Sequence, residues 1–316
     1  MRHRCSRRAP VRHAFSWIDL LFMLAVILLL LLILLPSLRD ARRQARAAKC
    51  LSNLRLVNVA AIQYCLDYND TWPLTHRLEN TPPSAFSYAY GGKTSSDYWR
   101  TVGDGSGFIS ILERPLNAYL LSDRLTPDGS ARRGLTEGAE VQVLDCPDDR
   151  TSYARTALEP TATPLRLACY DDVGTSYHFN LHALTGTNLD PHENNGENWT
   201  ALCRALFREV IARNSGTYVA FLPDPLNYAL PAHKSVMGNH GRPDLHELGF
   251  LDGHAEYRKI DTTRWSGETW TALVPGWVPA PGATSLPKIH YTASHKANRA
   301  PMPTPPRSES GVEKRR

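Results

Sequence analysis

Past residue 70 the sequence holds no second apolar run of membrane-spanning length, no Cys-x-x-Cys pair, no zinc-type cysteine and histidine spacing and no Gly-x-Ser-x-Gly elbow. Each absence removes a class. One span at most is encoded, dithiol redox motifs and zinc ribbons are excluded, and Ser, His and Asp occur in no order diagnostic of a hydrolase. Asp145 to Asp149 and Asp171-Asp172 supply the oxygen ligands that Ca²⁺ prefers and could hold that ion, but no spaced calcium loop is present, so no cofactor is assigned and Ca²⁺ stays open. Nucleic acid is also excluded as a partner. The net charge of +5 comes from Arg2 to Arg12, Arg39 to Lys49 and the C-terminal end, not from one basic patch interleaved with aromatics.

What the sequence does have is one uncharged, mostly aliphatic run, Leu20 to Leu35, directly behind an arginine-rich leader. As a helix, Phe15 to Leu38 would be roughly 36 Å long, enough for a hydrocarbon core of about 30 Å. A cleaved secretory signal has a core of about 7 to 15 residues followed by a small-x-small site. Here Pro36-Ser37-Leu38 leads instead into the charged stretch Arg39 to Lys49. Asp19 stands in the first turn of the span. A carboxylate there costs about 2.5 to 3.5 kcal/mol if carried to the bilayer centre, and less near the interface, so it marks function and calls for a cationic partner.

Ala14, Phe15, Ser16, Trp17, Ile18, Asp19, Leu20, Leu21 and the apolar run resemble the class III signal of type IV prepilins and type II secretion pseudopilins. Pro36 falls where many such subunits carry a helix-kinking proline. Lys49-Cys50-Leu51-Ser52-Asn53-Leu54-Arg55, Asp67-Tyr68-Asn69-Asp70 and Trp72-Pro73 are similar to a narrower planctomycete-type group, which carries a C-terminal His, about nine residues, then Asp-Gly. The corresponding turn residues are His240, Asp252 and Gly253, with a longer spacing than the group pattern. Ala14 replaces the usual glycine, Asp19 the usual glutamate, and Trp17 is bulkier than the common leucine.

The resemblance implies cleavage between Ala14 and Phe15 by a prepilin peptidase, N-methylation of Phe15, and assembly roles for Asp19 and Pro36. The Phe15 amine then pairs with Asp19 of its own or a neighbouring subunit. The implied partners are the lipid bilayer and other pilin-like subunits. Basic residues flank the span on both sides, so the positive-inside count is nearly balanced. The resemblance sets the orientation: bacterial inner membrane, single pass, leader cytoplasmic, head exported.

The expected fold class is α+β: a long N-terminal transmembrane helix packed on a small antiparallel β-sheet head. The parts are a leader over 1–14, a helix over 15–68 bent at Pro36 with its span at about 15–38, a head over 69–275 and a disordered basic Pro-rich tail over 276–316. Leu51, Leu54, Val57, Ala61, Tyr64 and Cys65 recur at helical spacing and face the head. Gly107 to Leu112, Val141 to Leu144 and Thr217 to Leu222 read as strands, Asn117 to Leu121 as a helical turn, and Trp199 to Arg213 as a helix capped by Asn198. Asp252-Gly253 reads as the two-residue type I′ turn of a hairpin over Leu248 to Tyr257.

Of the six cysteines, Cys5 leaves with the leader if the chain is cut after Ala14. Cys50 and Cys65 on one helix would be about 22 Å apart and cannot pair. A head bridge among Cys146, Cys169 and Cys203 is open, and Cys203 also fits a core position. His178, His182, His240, His246 and His254, with Asp252 and Asp171-Asp172, are ligand-type groups, but His178 and His182 fall on a strand or turn rather than one helix face. Three function classes stand: a structural pilin-like subunit, which the resemblance favours and which is not an enzyme; a monomeric membrane-anchored binding protein; and an anchored periplasmic enzyme. A processed N-terminus separates the first from the others.

Overall fold

The computed structural model describes residues 17–73, 86–101, 105, 107–121, 136–157, 163–182, 207–208 and 215–273. The expected leader, Phe15, Cys203, most of the helix expected at Trp199 to Arg213 and the tail lie outside them. The chain divides into two units, Met1–Ala45 and Arg46–Arg316.

In the first unit the described residues are all helical, the beginning of α1 (Trp17–Asp67). All of them, Trp17 to Ala45, are exposed, and the stretch is long and apolar enough to cross a membrane. Asp19 occupies the first turn, where a carboxylate complements the helix dipole. The helix continues through Pro36, whose missing N–H leaves the Leu32 carbonyl without its usual donor.

In the second unit α1 buries one face, formed by Cys50, Asn53, Leu54, Val57, Asn58, Ala60, Ala61 and Cys65. It packs with a four-stranded antiparallel sheet in the order β1 (Tyr177–Phe179), β2 (Val219–Pro223), β3 (Leu245–Phe250), β4 (Ala255–Lys259). Tyr177, Phe179, Phe221 and Ala255 join the α1 side of the core. Val219, Leu222, Leu248 and Phe250 pack on the other side with Leu226 and Leu230 of α5 (Asp224–Ala232). Burial on both faces explains why β2 reads as a continuous apolar run. The register shift between Val219 and Phe221 is what lets these two, which strict alternation would place on one face, enter different core clusters.

Gly249 lets the helix approach β3 closely. A Cβ there would lie 2.8 Å from Asn58 Nδ2, which donates to the His254 carbonyl at 3.2 Å. The connection from β3 to β4 is longer than a two-residue type I′ turn: Gly253 N donates to Phe250 O, Phe250 N to His254 O, and among Leu251, Asp252 and Gly253 only Gly253 has positive φ, at 97°. One left-handed residue after a turn is the longer, bulged hairpin connection.

Around this core lie short turns: α2 (Tyr98–Thr101), α3 (Asn117–Leu120) and α4 (Cys169–Val173). Two expected strands are 3₁₀ turns instead. At Ile111–Glu113 the Ser110 hydroxyl accepts from Leu112 N while the Glu113 carboxylate accepts from Ser110 N, a reciprocal cap that opposes extended backbone. The other is Gln142–Leu144. Between Ile111–Glu113 and α3 stands Arg114, which is buried and donates to the carbonyls of Tyr88, Gly91 and Val173, the last at the end of α4.

Candidate functional site

The segment Asp145 to Asp149 docks along α1 through about one contact per turn. Arg46 Nε lies 2.6 Å from Asp148 Oδ1, Cys50 Sγ 2.7 Å from Cys146 Sγ, and Asn53 Nδ2 donates to Asp145 O at 3.2 Å. Helical periodicity puts residues 46, 50 and 53 on one face. A third element, the turn carrying His240, closes the cluster: its Nδ1 is 2.8 Å from Asp148 Oδ2 and its Nε2 is 3.9 Å from Cys146 Sγ. An ionised carboxylate only accepts, so Nδ1 carries the hydrogen and Nε2 faces the sulfurs. Beneath them Glu247 is fully buried, with one carboxylate oxygen accepting from Asn239 Nδ2 at 2.9 Å.

These contacts polarise the pair of thiols. Hydrogen bonding from Cys146 and then His240, acting against burial, lowers Cys50 to about 6. Burial and the neighbouring sulfur hold Cys146 well above its ordinary value. Burial opposes protonation of His240, but its contacts with Cys50, Glu247 and Asp148 prevail and raise it to about 9. In the reduced cluster Cys50 is therefore the more acidic of the two thiols, and His240 is the base beside it. Burial pushes Glu247 up to about 7 despite the nearby ring.

A second buried cluster joins Cys169, His178 and Asp224. His178 Nε2 lies 3.4 Å from Cys169 Sγ and 3.0 Å from Asp224 Oδ1, and Nδ1 lies 2.6 Å from Ser87 Oγ. A cysteine nucleophile needs its base and its orienting carboxylate on opposite ring nitrogens. Here both sit on Nε2, and burial with the surrounding Asp224, Asp149 and Asp172 drives the Cys169 thiol upward, away from thiolate. This arrangement ties β1 to α4 and α5.

An open cleft of about 390 Å³ lies beside Lys93 and Arg100. Its charges answer one another: Lys93 Nζ is 2.7 Å from Asp171 and 3.4 Å from Glu140, and Arg100 is 3.7 Å from Glu137.

The sequence-derived site residues fall in separate places. Ala14 and Phe15 lie outside the described residues, and Asp19 and Pro36 are on the exposed part of α1. Asp252 forms the hairpin loop, where its Oδ1 accepts from His254 N, and Gly253 supplies the left-handed residue. His240 lies in a turn as well, but its ring is buried against Cys146 and Asp148. Among the cysteines, Cys146 and Cys169 sit in different clusters, so no bridge joins them; the partner of Cys146 is Cys50. Arg46, Asp148 and Glu247 were not legible as members of one site. The available signal was the Cys-Pro-Asp-Asp segment, whose docking place on the helix no local pattern reveals.

The chain matches no protein-family model, no curated protein and no solved structure.

Proposed function

We propose that this chain is a structural subunit of a type IV pilus-like or type II secretion pseudopilus-like assembly. In this reading a prepilin peptidase removes residues 1–14, the span anchors the protein in the bacterial inner membrane, and the head is exported. The observation that carries it is the continuity of α1, 51 residues from an exposed apolar segment with a carboxylate in its first turn to the buried face of the head. A monomeric anchor needs only the span. A subunit that assembles by helix packing needs a second free face as well, and Leu56, Val59 and Leu66 supply one: they are 56%, 47% and 69% exposed and follow helical spacing opposite the buried stripe.

In the assembly Asp19 neutralises the amino group of Phe15 on an adjacent copy. Removing the carboxylate eases insertion into lipid, so Asp19→Ala enters the membrane but does not assemble. Asp19→Glu, one methylene longer, assembles at least as well as the native chain. Crosslinking in membranes, with insertion checked by carbonate extraction and the mature N-terminus by mass spectrometry, tests both steps. A chain still beginning at Met1, or undiminished Asp19→Ala multimers, sinks the reading. Absence of multimers from the native chain favours the monomeric anchored binding protein.

A further inference from the structure

We propose that Cys50 and Cys146 are joined by a disulfide that staples α1 to the head. Three observations carry it. The two sulfurs are 2.7 Å apart, both side chains are buried, and the flanking contacts Arg46 to Asp148 and Asn53 to Asp145 hold the two segments against each other. The separation also decides between a covalent bond and a shared metal ion, since Cys50, Cys146 and His240 have the composition of a zinc ligand set. Two thiolates on one zinc, with bonds of about 2.3 Å at tetrahedral angles, stand roughly 3.8 Å apart. The observed pair is about 1 Å closer than that, and a disulfide of about 2.05 Å requires the smaller movement.

Formation needs an oxidant, and the chemical class is a disulfide donor, R–S–S–R. Cys146 first exchanges with it, forming the mixed disulfide Cys146–S–S–R and releasing R–SH. As the helix docks, Cys50 passes its proton to the adjacent His240 and attacks the Cys146 sulfur as a thiolate. The Cys50–Cys146 bond forms, the Cys146–SR bond breaks, and the departing thiolate takes the proton from His240. Two thiols are oxidised and one donor disulfide is reduced to two R–SH. Once docked, Cys50 is 0% and Cys146 1% exposed, so neither reductant nor oxidant reaches them without unfolding.

The bond itself stands on the geometry, and only its persistence in the cell rests on the exported placement of the head. The test uses the purified full-length protein in detergent, unfolded under reducing conditions and refolded in glutathione buffers from fully reduced to fully oxidised. Remaining thiols are then alkylated in denaturant and the peptides mapped without reduction. Under oxidising buffer the Cys50 and Cys146 peptides appear as one species two hydrogens lighter than their sum, their alkylation falls to background, and the native fold resists subsequent glutathione. Cys146→Ser removes that species. Alkylation of both cysteines at every buffer ratio, or stoichiometric zinc retained with both thiols reduced, overturns the proposal. Failure of the assembly reading leaves this cross-link intact, and failure of the cross-link leaves N-terminal processing and multimerisation unchanged, so the two fail separately.

Discussion

Replacing Arg114 with methionine removes a buried cation that holds three chain segments together. Its guanidinium donates to Tyr88 O at 2.5 Å, Gly91 O at 2.6 Å and Val173 O at 2.5 Å, and to Ser95 Oγ at 3.0 Å. Burial lowers this group to about 10, so it is still charged at neutral pH. Methionine fills most of the volume but takes this donor from the Tyr88 and Gly91 carbonyls, at about 1 to 3 kcal/mol each if neither finds another, while Val173 O keeps the Ser95 hydroxyl, which donates to it at 3.4 Å. Against that, the substitution recovers the several kcal/mol spent in desolvating the guanidinium. The losses win because the arginine serves these acceptors at once, and the net loss is about 2 to 4 kcal/mol. For a domain of this size that lowers Tm by roughly 4 to 16 °C, at about 2 to 4 °C per kcal/mol. Thermal unfolding of the full-length protein in detergent, followed by tryptophan fluorescence, measures it. Arg114→Lys recovers little, because one ammonium cannot span acceptors arranged for a planar fork. A methionine variant melting within about 2 °C of the native protein would refute the reasoning.

Three further outcomes are expected. His246 is buried and neither ring nitrogen has a hydrogen-bond partner among the described residues; burial lowers it to about 4, so its neutral form is favoured in the fold. The unfolded chain then takes up the proton first as pH falls from about 6.5 to 4, stability present above that window is lost within it by up to about 3 kcal/mol, and His246→Phe flattens this part of a denaturation-against-pH profile. Gly249→Ala forces its Cβ onto the Asn58 amide and breaks the bond to His254 O, costing about 1 to 3 kcal/mol by chemical denaturation, and the added Asn58→Ala substitution recovers part of it. Asp172→Ala strands Trp99 Nε1, Ser152 Oγ and the bidentate Arg155, and costs about 3 kcal/mol, read as a shift in the denaturation midpoint.

Legibility in the sequence follows the range of the interaction. Helix α1 is legible because its apolar run and the spacing of Leu54, Val57, Ala61 and Cys65 are periodic over many turns. The β3–β4 hairpin is legible from Asp252-Gly253, but the connection type is not: the Leu251 N–H donates to the carbonyl of Tyr218, the residue before β2, a tertiary contact that helps set the loop. Gly107 to Leu112 carries apolar residues that suit a strand, and the local pair Ser110 and Glu113 decides for a turn. The Cys50–Cys146 contact spans 96 residues, and no pattern in either segment specifies the other. Excluding Cys65 as a partner of Cys50 by helix length is sound geometry, yet it does not point to Cys146, the cysteine adjacent in the fold.

The buried face of α1 also explains why polar residues stand among its apolar ones. Leu54, Val57, Ala61 and Cys65 meet other apolar groups, so a slip of one turn, about 5.4 Å, would exchange one set of apolar neighbours for another at modest cost. Arg46, Cys50, Asn53 and Asn58 cannot slip in the same way, because each meets an addressed partner: Asp148, Cys146, Asp145 O and His254 O. A one-turn slip would break all four contacts together; water can reach the half-exposed Arg46, but the buried Asn53 and Asn58 amides left unsatisfied cost about 1 to 3 kcal/mol each. Apolar contacts supply the adhesion and the polar contacts fix the register. In the proposed assembly that register has a function, since every copy must present Leu56, Val59 and Leu66 at the same height for one subunit to repeat the packing of the last.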